Sequence, residues 1–230
     1  MNERKLVIAI DGPGGAGKST IASRLARKLG YVNIESGAMY RALALKALES
    51  GVSVDEESAL LQLAQGSHIE LAPVPDGNRV LLDGRDVSER IRRSDVTDAA
   101  SRLSVHHQVR EWMVDRQREM GAAGGVVMEG RDIGTQVFPH AEVKIFLDAD
   151  PAVRAQRRLQ QYAPASAAEA RAVTEDLRRR DQRDSTRKES PLLPAADAVI
   201  LDSTNLSIEQ VIARALDIVN QRQGGLKIHD

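Results

Sequence analysis

The sequence contains no cysteine, which removes disulfides, thiolate chemistry and cysteine-bound metal from consideration and fits a reducing compartment. No sign of charge dominates. The 32 basic and 33 acidic residues leave a formal net charge of −1, so no overall field holds the chain on nucleic acid or on anionic lipid. Long apolar runs are missing as well. Met1-Asn2-Glu3-Arg4-Lys5 leads into Leu6-Val7-Ile8-Ala9-Ile10, a run far too short for the core of a signal sequence or for a membrane span. A soluble, cytoplasmic protein is the expectation. There is no internal repeat and no low-complexity tail. What remains is a chain of 230 residues, 42% hydrophobic, able to bury a sizeable core as one large α/β domain or as a core domain carrying insertions.

Directly behind the apolar run stands Gly12-Pro13-Gly14-Gly15-Ala16-Gly17-Lys18-Ser19. It matches G-x-x-x-x-G-K-[ST] completely, between a short buried strand and a helical pattern, which is the setting that motif needs. Its glycines free the backbone so that successive N–H groups converge on phosphate oxygens. The helix beginning near Lys18 adds the positive end of its dipole. Lys18 is expected to reach the β- and γ-phosphates as a mobile point charge, and Ser19 to offer its hydroxyl to Mg²⁺. An accidental match in a glycine-rich turn is the dull alternative; the agreement of strand, loop and helix speaks against it. The motif implies a bound nucleoside triphosphate and leaves the acceptor open.

Along the chain, Ile21, Leu25, Ala26 and Leu29 mark an amphipathic helix ending at Gly30, and Tyr31-Val32-Asn33-Ile34 a second strand. A helix is predicted from Met39 to Leu48, and another capped by Asp55, with Leu60, Leu61 and Leu63 on its apolar side. His68 to Ala72, Arg79 to Asp83 and Asp86-Val87 then read as a small antiparallel sheet, with turns at Pro73 to Asn78 and at Asp83-Gly84-Arg85. Helices near Asp95 to Leu103 and Val105 to Met120 follow. Val126 to Met128, Val143 to Leu147 and Ala198 to Leu201 complete a set of five core strands, and Ser207 to Gln221 is a final amphipathic helix. Between the last two strands, Asp150 and Pro151 open a helical stretch broken around Ala163 to Ser166. Parallel strands with helical crossovers predict a three-layer, doubly wound α/β fold with ligands over the C-terminal strand ends.

Phosphoryl transfer needs two substrates held in line and the developing charge neutralised, so convergent arginines are expected. Arginine supplies 25 of the 32 basic residues. Codon preference explains part of that count but not the placement. Arg154, Arg157, Arg158, Arg178, Arg179, Arg180, Arg183 and Arg187 all fall in one helical pair. Arg180, Arg183 and Arg187 have the spacing of one helix face, with Asp184 beside them. This is either a solvated charged helix or a lid that closes cations over the transferred phosphate. Glu129-Gly130-Arg131-Asp132 places carboxylates and a guanidinium at a strand end. Ser36 and Arg41 flank Gly37, with Ser36 expected both to cap the next helix and to serve the site. On pattern alone Arg110 is undecided, and His106-His107 are surface residues, being too close in sequence to share a helix face as zinc ligands.

These residues together resemble the bacterial cytidylate kinases, within the nucleoside monophosphate kinases. The resemblance runs from Leu6 to about Gln221. It is carried by Ile10 to Ser19, Ser36-Gly37-Ala38-Met39-Tyr40-Arg41, Gly130 to Thr135, Lys144 to Asp148, Arg180-Asp181-Gln182-Arg183-Asp184 and Leu201-Asp202-Ser203-Thr204. Glu35 and Glu129 stand where related sequences often carry Asp. The resemblance implies a P-loop NTPase fold with a five-stranded parallel sheet, and transfer of a phosphoryl group from ATP with Mg²⁺ to CMP or dCMP. It also implies three parts: a core (1–35, 123–152 and 189–230), a β-rich monophosphate-binding insert (36–122) and an arginine-rich lid (153–188). By the same resemblance Gly12 to Ser19, Thr20, Arg157 and Arg158 would hold ATP, and Ser36, Arg41, Arg131 and Arg187 the acceptor phosphate. Ser101, Arg110 and Asp132 would read cytosine, Arg180 and Asp184 would hold the sugar, and Lys18, Arg131, Asp132 and Arg187 would be catalytic. The rivals are a kinase for another monophosphate such as UMP and a non-catalytic nucleotide switch. The switch reading finds no N-K-x-D guanine signature. No nucleic-acid or membrane partner is expected, and nothing demands a second chain, so a monomer is expected.

Overall fold

The computed structural model describes residues 5–74 and 77–226. β1 (Val7–Asp11) leads through the glycine-rich loop into α1 (Lys18–Leu29), which closes at Gly30 and turns into β2 (Val32–Glu35). The chain then leaves the sheet for α2 (Ser36–Glu49), α3 (Glu57–Gln65), β3 (Ile69–Val74), β4 (Gly77–Leu82), β5 (Arg85–Asp86), a 3-10 turn at Arg90–Arg92, α4 (Ser94–Leu103) and α5 (His107–Gly121). It returns as β6 (Val126–Gly130), a π turn at Ile133–Val137, β7 (Val143–Asp148), the helical pair α6 (Pro151–Tyr162) and α7 (Ala167–Thr186), then β8 (Val199–Asp202) and α8 (Ile208–Leu226).

Five strands pair in parallel in the order β2-β6-β1-β7-β8, and β3-β4-β5 form a separate antiparallel sheet. Both faces of the parallel sheet are covered, which is why its strands are apolar almost throughout. Ile8 and Ile10 of β1 pack with Leu25 of α1 and Ala215 of α8, whereas Ala9 belongs to the opposite core with Met39, Leu43 and Met113. Three layers result, and β1 and β6 lie inside the sheet with their C-terminal ends adjacent.

Three local expectations are corrected. Core strands run one or two residues further than the apolar pattern indicates, ending at Asp11, Glu35, Gly130, Asp148 and Asp202. A charged residue ends a hydrophobic run but need not end a ladder, because pairing is a backbone property. Helix α2 begins at Ser36, so Ser36 lies inside the first turn and caps nothing; its Oγ donates instead to the Glu129 carbonyl at 2.7 Å. Asp55 caps no helix either, since α3 starts after Glu56 without a side-chain cap and Asp55 pairs with Arg102. Asp150 does cap α6, accepting from the Ala152 N–H at 2.7 Å. Pro75 and Asp76, part of the turn expected between the hairpin strands, lie outside the described residues.

At Gly12 the backbone φ is +148°, and a Cβ there would come within 2.0 Å of the Leu147 carbonyl oxygen of β7. That clash is with backbone in a paired strand, which cannot yield locally. Gly12→Ala is therefore expected to destabilise the fold by about 3 kcal/mol or more. A urea titration should show it as a lower midpoint with an unchanged slope.

Candidate active site

The loop from Gly12 to Gly17 hands the chain to the α1 N-terminus, where Gly17 takes a left-handed φ of 97° and Lys18 opens the helix. Lys18 is buried and turns its Nζ back onto the Pro13 carbonyl at 2.7 Å. Burial, reinforced by the nearby Arg131 charge, lowers its pKa to about 7 against the pull of Glu129 and Asp11. Ser19 is exposed, and its Oγ donates to Glu129 Oε1 at 3.0 Å. Burial raises the Glu129 pKa although Lys18 opposes it. Thr20 follows, exposed on the first turn of α1. Asp11, at the end of β1, accepts from the Ile133 and Gly134 N–H groups at 2.8 and 2.7 Å. Burial still lifts its pKa to about 6.

The helical pair α6 and α7 lies against this loop. Asp181 of α7 accepts the Gly14 N–H at 3.2 Å and pairs with Arg154 of α6, whose Nη1 donates to the Gly14 carbonyl at 3.0 Å. Arg157 reaches the loop's outer side, donating to Ser203 Oγ at 2.9 Å and to the Ser203 carbonyl at 2.7 Å. Arg158 takes a different direction: its guanidinium stacks 4.3 Å from the Tyr162 ring centroid. Burial first, then the charges of Arg41 and Arg131 on the cationic side of the site, lowers its pKa.

That side is built from the ends of β2 and β6 and from α2, α4, α5 and α7. Arg110 is buried, pairs with Asp132, and donates to the Ser104 carbonyl at 3.0 Å. Arg187 Nη2 stands 3.7 Å from Asp132 Oδ1, and that nitrogen is buried without a hydrogen-bond partner. Tyr40 feels the charges of Arg110, Asp132 and Arg187, and burial raises its pKa. Arg131 donates to Asp184 Oδ2 at 2.8 Å. Arg41 pairs with Glu35, its Nε buried without a partner, and Arg92 lies 3.9 Å from the same carboxylate. Burial and the charges of Arg131 and Arg158 depress Arg180 to about 10. Gly130 is obligatory at this junction, because a Cβ would sit 2.6 Å from Ser36 Oγ.

The structure thus gathers Lys18, Ser19, Ser36, Arg41, Arg131, Asp132, Arg180, Asp184 and Arg187 at the sheet top, joined by Arg110 and Arg158. It separates others. Ser101 reaches the group through Arg183, whose Nη1 donates to its Oγ at 2.9 Å. Arg180, Arg183 and Arg187 do not share a helix face, since α7 ends at Thr186 and Arg187 is already extended, with ψ at 141°. Asp184 pairs with Arg131, although Arg180 is among the charges that hold its pKa down. His106 is half-buried, with Nε2 placed 2.9 Å from the Val54 carbonyl, whereas His107 is exposed. Sequence reasoning missed Asp11, Asp181 and the Glu35–Arg41 pair. The signal for the first two was a charged residue inside a motif read only for its neighbours.

Among the described residues, two buried guanidinium nitrogens without hydrogen bonds, a desolvated lysine and a helix N-terminus are groups suited to phosphate oxygens. A family model described as "Cytidylate kinase" matches residues 8–221. The chain is 50% identical over 223 residues to a protein named cytidylate kinase from Geobacillus kaustophilus (strain HTA426), covering 96% of this chain and 100% of that one. It is 49% identical to another so named from Solibacter usitatus (strain Ellin6076), covering 96% and 94%, and 46% identical to one from Enterococcus faecalis (strain ATCC 700802 / V583), covering 95% and 97%. Among solved structures, a gluconokinase from Sinorhizobium meliloti 1021 superposes with a TM-score of 0.53 at 13% identity, covering 100% of this chain and 99% of that one. That likeness is one of fold alone.

Because Lys18 titrates near 7 in the folded chain and at 10.5 when unfolded, the unfolded state binds more protons between those values. Stability attributable to this group therefore rises with pH across that window. An anion on the loop restores the ammonium form. Binding of a nucleoside triphosphate at pH 8 without Mg²⁺ should take up close to one proton, read as buffer-dependent enthalpies in calorimetry. Lys18→Met should abolish the uptake.

Proposed function

The chain belongs to the cytidylate kinase family, and from that premise we propose how its site performs the family's reaction. It transfers the γ-phosphoryl group of ATP to CMP or dCMP, giving ADP and CDP or dCDP. The loop Gly12 to Ser19, with Thr20, Arg157 and Arg158, holds the donor. Ser36, Arg41, Arg131 and Arg187 hold the acceptor phosphate. That phosphate arrives already ionised, so the chain need supply no strong base; what it supplies is position and charge. Lys18, Arg131 and Arg187 surround the transferred group with largely buried cations, which act at low effective dielectric.

A divalent cation fits the donor set. Ser19 Oγ and Glu129 Oε1 are oxygen ligands 3.0 Å apart at the mouth of the loop. Among the described residues no group of three or more His, Cys, Asp or Glu forms a cage of protein ligands. Mg²⁺ is held in this way, by one or two side-chain oxygens with phosphates and water completing its shell. When bound it supplies charge neutralisation across the phosphate oxygens. Glu129, kept basic by burial, is the carboxylate that would face it, with Ser19.

Base choice rests on the buried Arg110–Asp132 pair, the observation that carries this reading. Arg110 fixes the Asp132 carboxylate in place through Oδ2, and Oδ1, which faces Arg187 at 3.7 Å, accepts together with Ser101 from the exocyclic amine of cytosine. UMP would present a carbonyl there, and two facing acceptors with water excluded are costly. Arg180 and Asp184 hold the sugar hydroxyls, linking the sugar to Arg131 through the Arg131–Asp184 pair. Among the described residues no helix is long and apolar enough to cross a membrane. We place the enzyme in the cytoplasm as a monomer acting on small nucleotides, with no nucleic-acid partner.

Asp132→Asn keeps the shape and exchanges one acceptor oxygen for a donor. It should lower kcat/KM for CMP by about 100-fold or more and leave the Kd for ATP within about threefold, with UMP turnover falling less than CMP turnover. Steady-state assays over a panel of monophosphates, with ATP binding measured separately, check this. Equal losses for CMP and UMP would remove Asp132 from base reading.

A further inference from the structure

The last two turns of α7 send their side chains in four directions. Asp181 goes to the donor loop, Asp184 to Arg131 and, just past the helix end, Arg187 to Asp132. The fourth contact reaches a neighbouring helix, α4. Arg183 Nη1 donates to Ser101 Oγ at 2.9 Å and Nη2 to Asp98 Oδ1 at 3.0 Å. Asp98 and Ser101 are three residues apart on α4, hence on one helix face. A planar guanidinium spanning two such partners fixes the helix face in both distance and rotation, which a point charge would not.

We propose that Arg183 is a positioning residue that makes cytosine selection depend on the seating of the lid. The inference rests on the reading of Ser101 as a base-reading group. A serine hydroxyl carries one hydrogen and two lone pairs and rotates freely. By itself it serves an amine as acceptor or a carbonyl as donor, and so discriminates poorly between cytosine and uracil. Arg183 occupies one lone pair from the α7 side and fixes the place of the oxygen on α4. Because the same helix carries Asp181 on the donor loop and Arg187 beside Asp132, the hydroxyl is held only when α7 lies over the loop. The ion pair to Asp98 does not carry this effect. Its side chains are 30% and 43% exposed, and pairs so exposed contribute little.

The test compares four variants for kcat and KM with CMP and with UMP, Kd for ATP, and thermal midpoint. Arg183→Ala should raise the KM for CMP about tenfold and reduce the CMP-to-UMP ratio of kcat/KM by a similar factor, with the ATP Kd within about twofold. Arg183→Lys, which reaches one partner at a time, should recover part of the ratio. Asp98→Asn should leave it within about twofold. Ser101→Ala should lower the ratio, and adding Arg183→Ala to it should lower the ratio no further. An unchanged ratio in Arg183→Ala with an effect in Ser101→Ala overturns the proposal. No effect in Ser101→Ala overturns instead the reading on which it rests. Equal losses in Asp98→Asn and Arg183→Ala would reduce the contact to an ion pair between helices.

Discussion

Lys18, Arg110 and Arg187 at the top of the parallel sheet have been taken out of water, and the rest of the site follows from how that cost is met. Burial depresses Lys18, Arg180 and Arg187. It would also push Glu35 and Asp184 up, but Arg41 and Arg92 hold Glu35 below its usual value and Arg131 does the same for Asp184. The balance does not close. Arg41 Nε and Arg187 Nη2 remain buried without hydrogen bonds, each a desolvation cost on the free protein. A ligand offering oxygens to these nitrogens would recover that cost, so stability given up at the site would reappear as affinity for anions.

Much of this architecture was legible in the sequence because it depends on local pattern. The loop, its flanking strand and helix, the five core strands and the inserted sheet all follow from periodicity and turn chemistry. What was not legible is non-local. Asp11 ends an apolar run and looks like the end of a strand, yet it anchors the π turn through N–H groups more than 120 positions away. No spacing rule carries that. The arginines of the helical pair showed the same limit from the other side. Their number announced a cationic cover, but helical spacing fixes faces and not partners. Arg154, Arg157, Arg183 and Arg187 find a glycine carbonyl, a serine, a neighbouring helix and a distant aspartate respectively. Ser101 and Arg110 were assigned by resemblance alone. The structure brings Arg110 to Asp132 and connects Ser101 through Arg183, a residue the sequence had marked only as one of a face.

The helix α7 carries both signs of charge for a physical reason. A helix bearing cations alone would be repelled by the cluster beneath it and would depend wholly on substrate to seat. Asp181 and Asp184 give α7 its own attraction to the site, through the Gly14 N–H, Arg154 and Arg131. Asp181 occupies a backbone donor of the phosphate loop, so a triphosphate that needs that N–H exchanges contacts with the lid. Only such differential contacts let a ligand shift a lid between positions.

Transfer in line needs the donor phosphate and the acceptor phosphate held at a fixed separation, and one short piece of chain meets most of that need. Glu129 accepts from Ser19 at the donor loop through its side chain and from Ser36 on the acceptor side through its carbonyl. Gly130 lets Ser36 pack against the strand, Arg131 ties in the lid through Asp184, and Asp132 meets Arg110. The first two of these residues end β6, a strand paired to β1 and to β2, and the other two follow it directly. Errors of position that would accumulate over separate loops are limited to the stiffness of a central strand, where geometry within about half an ångström can be kept. The groups on the two sides of β6 are therefore spaced by the sheet, and α6 and α7 above it complete the charge.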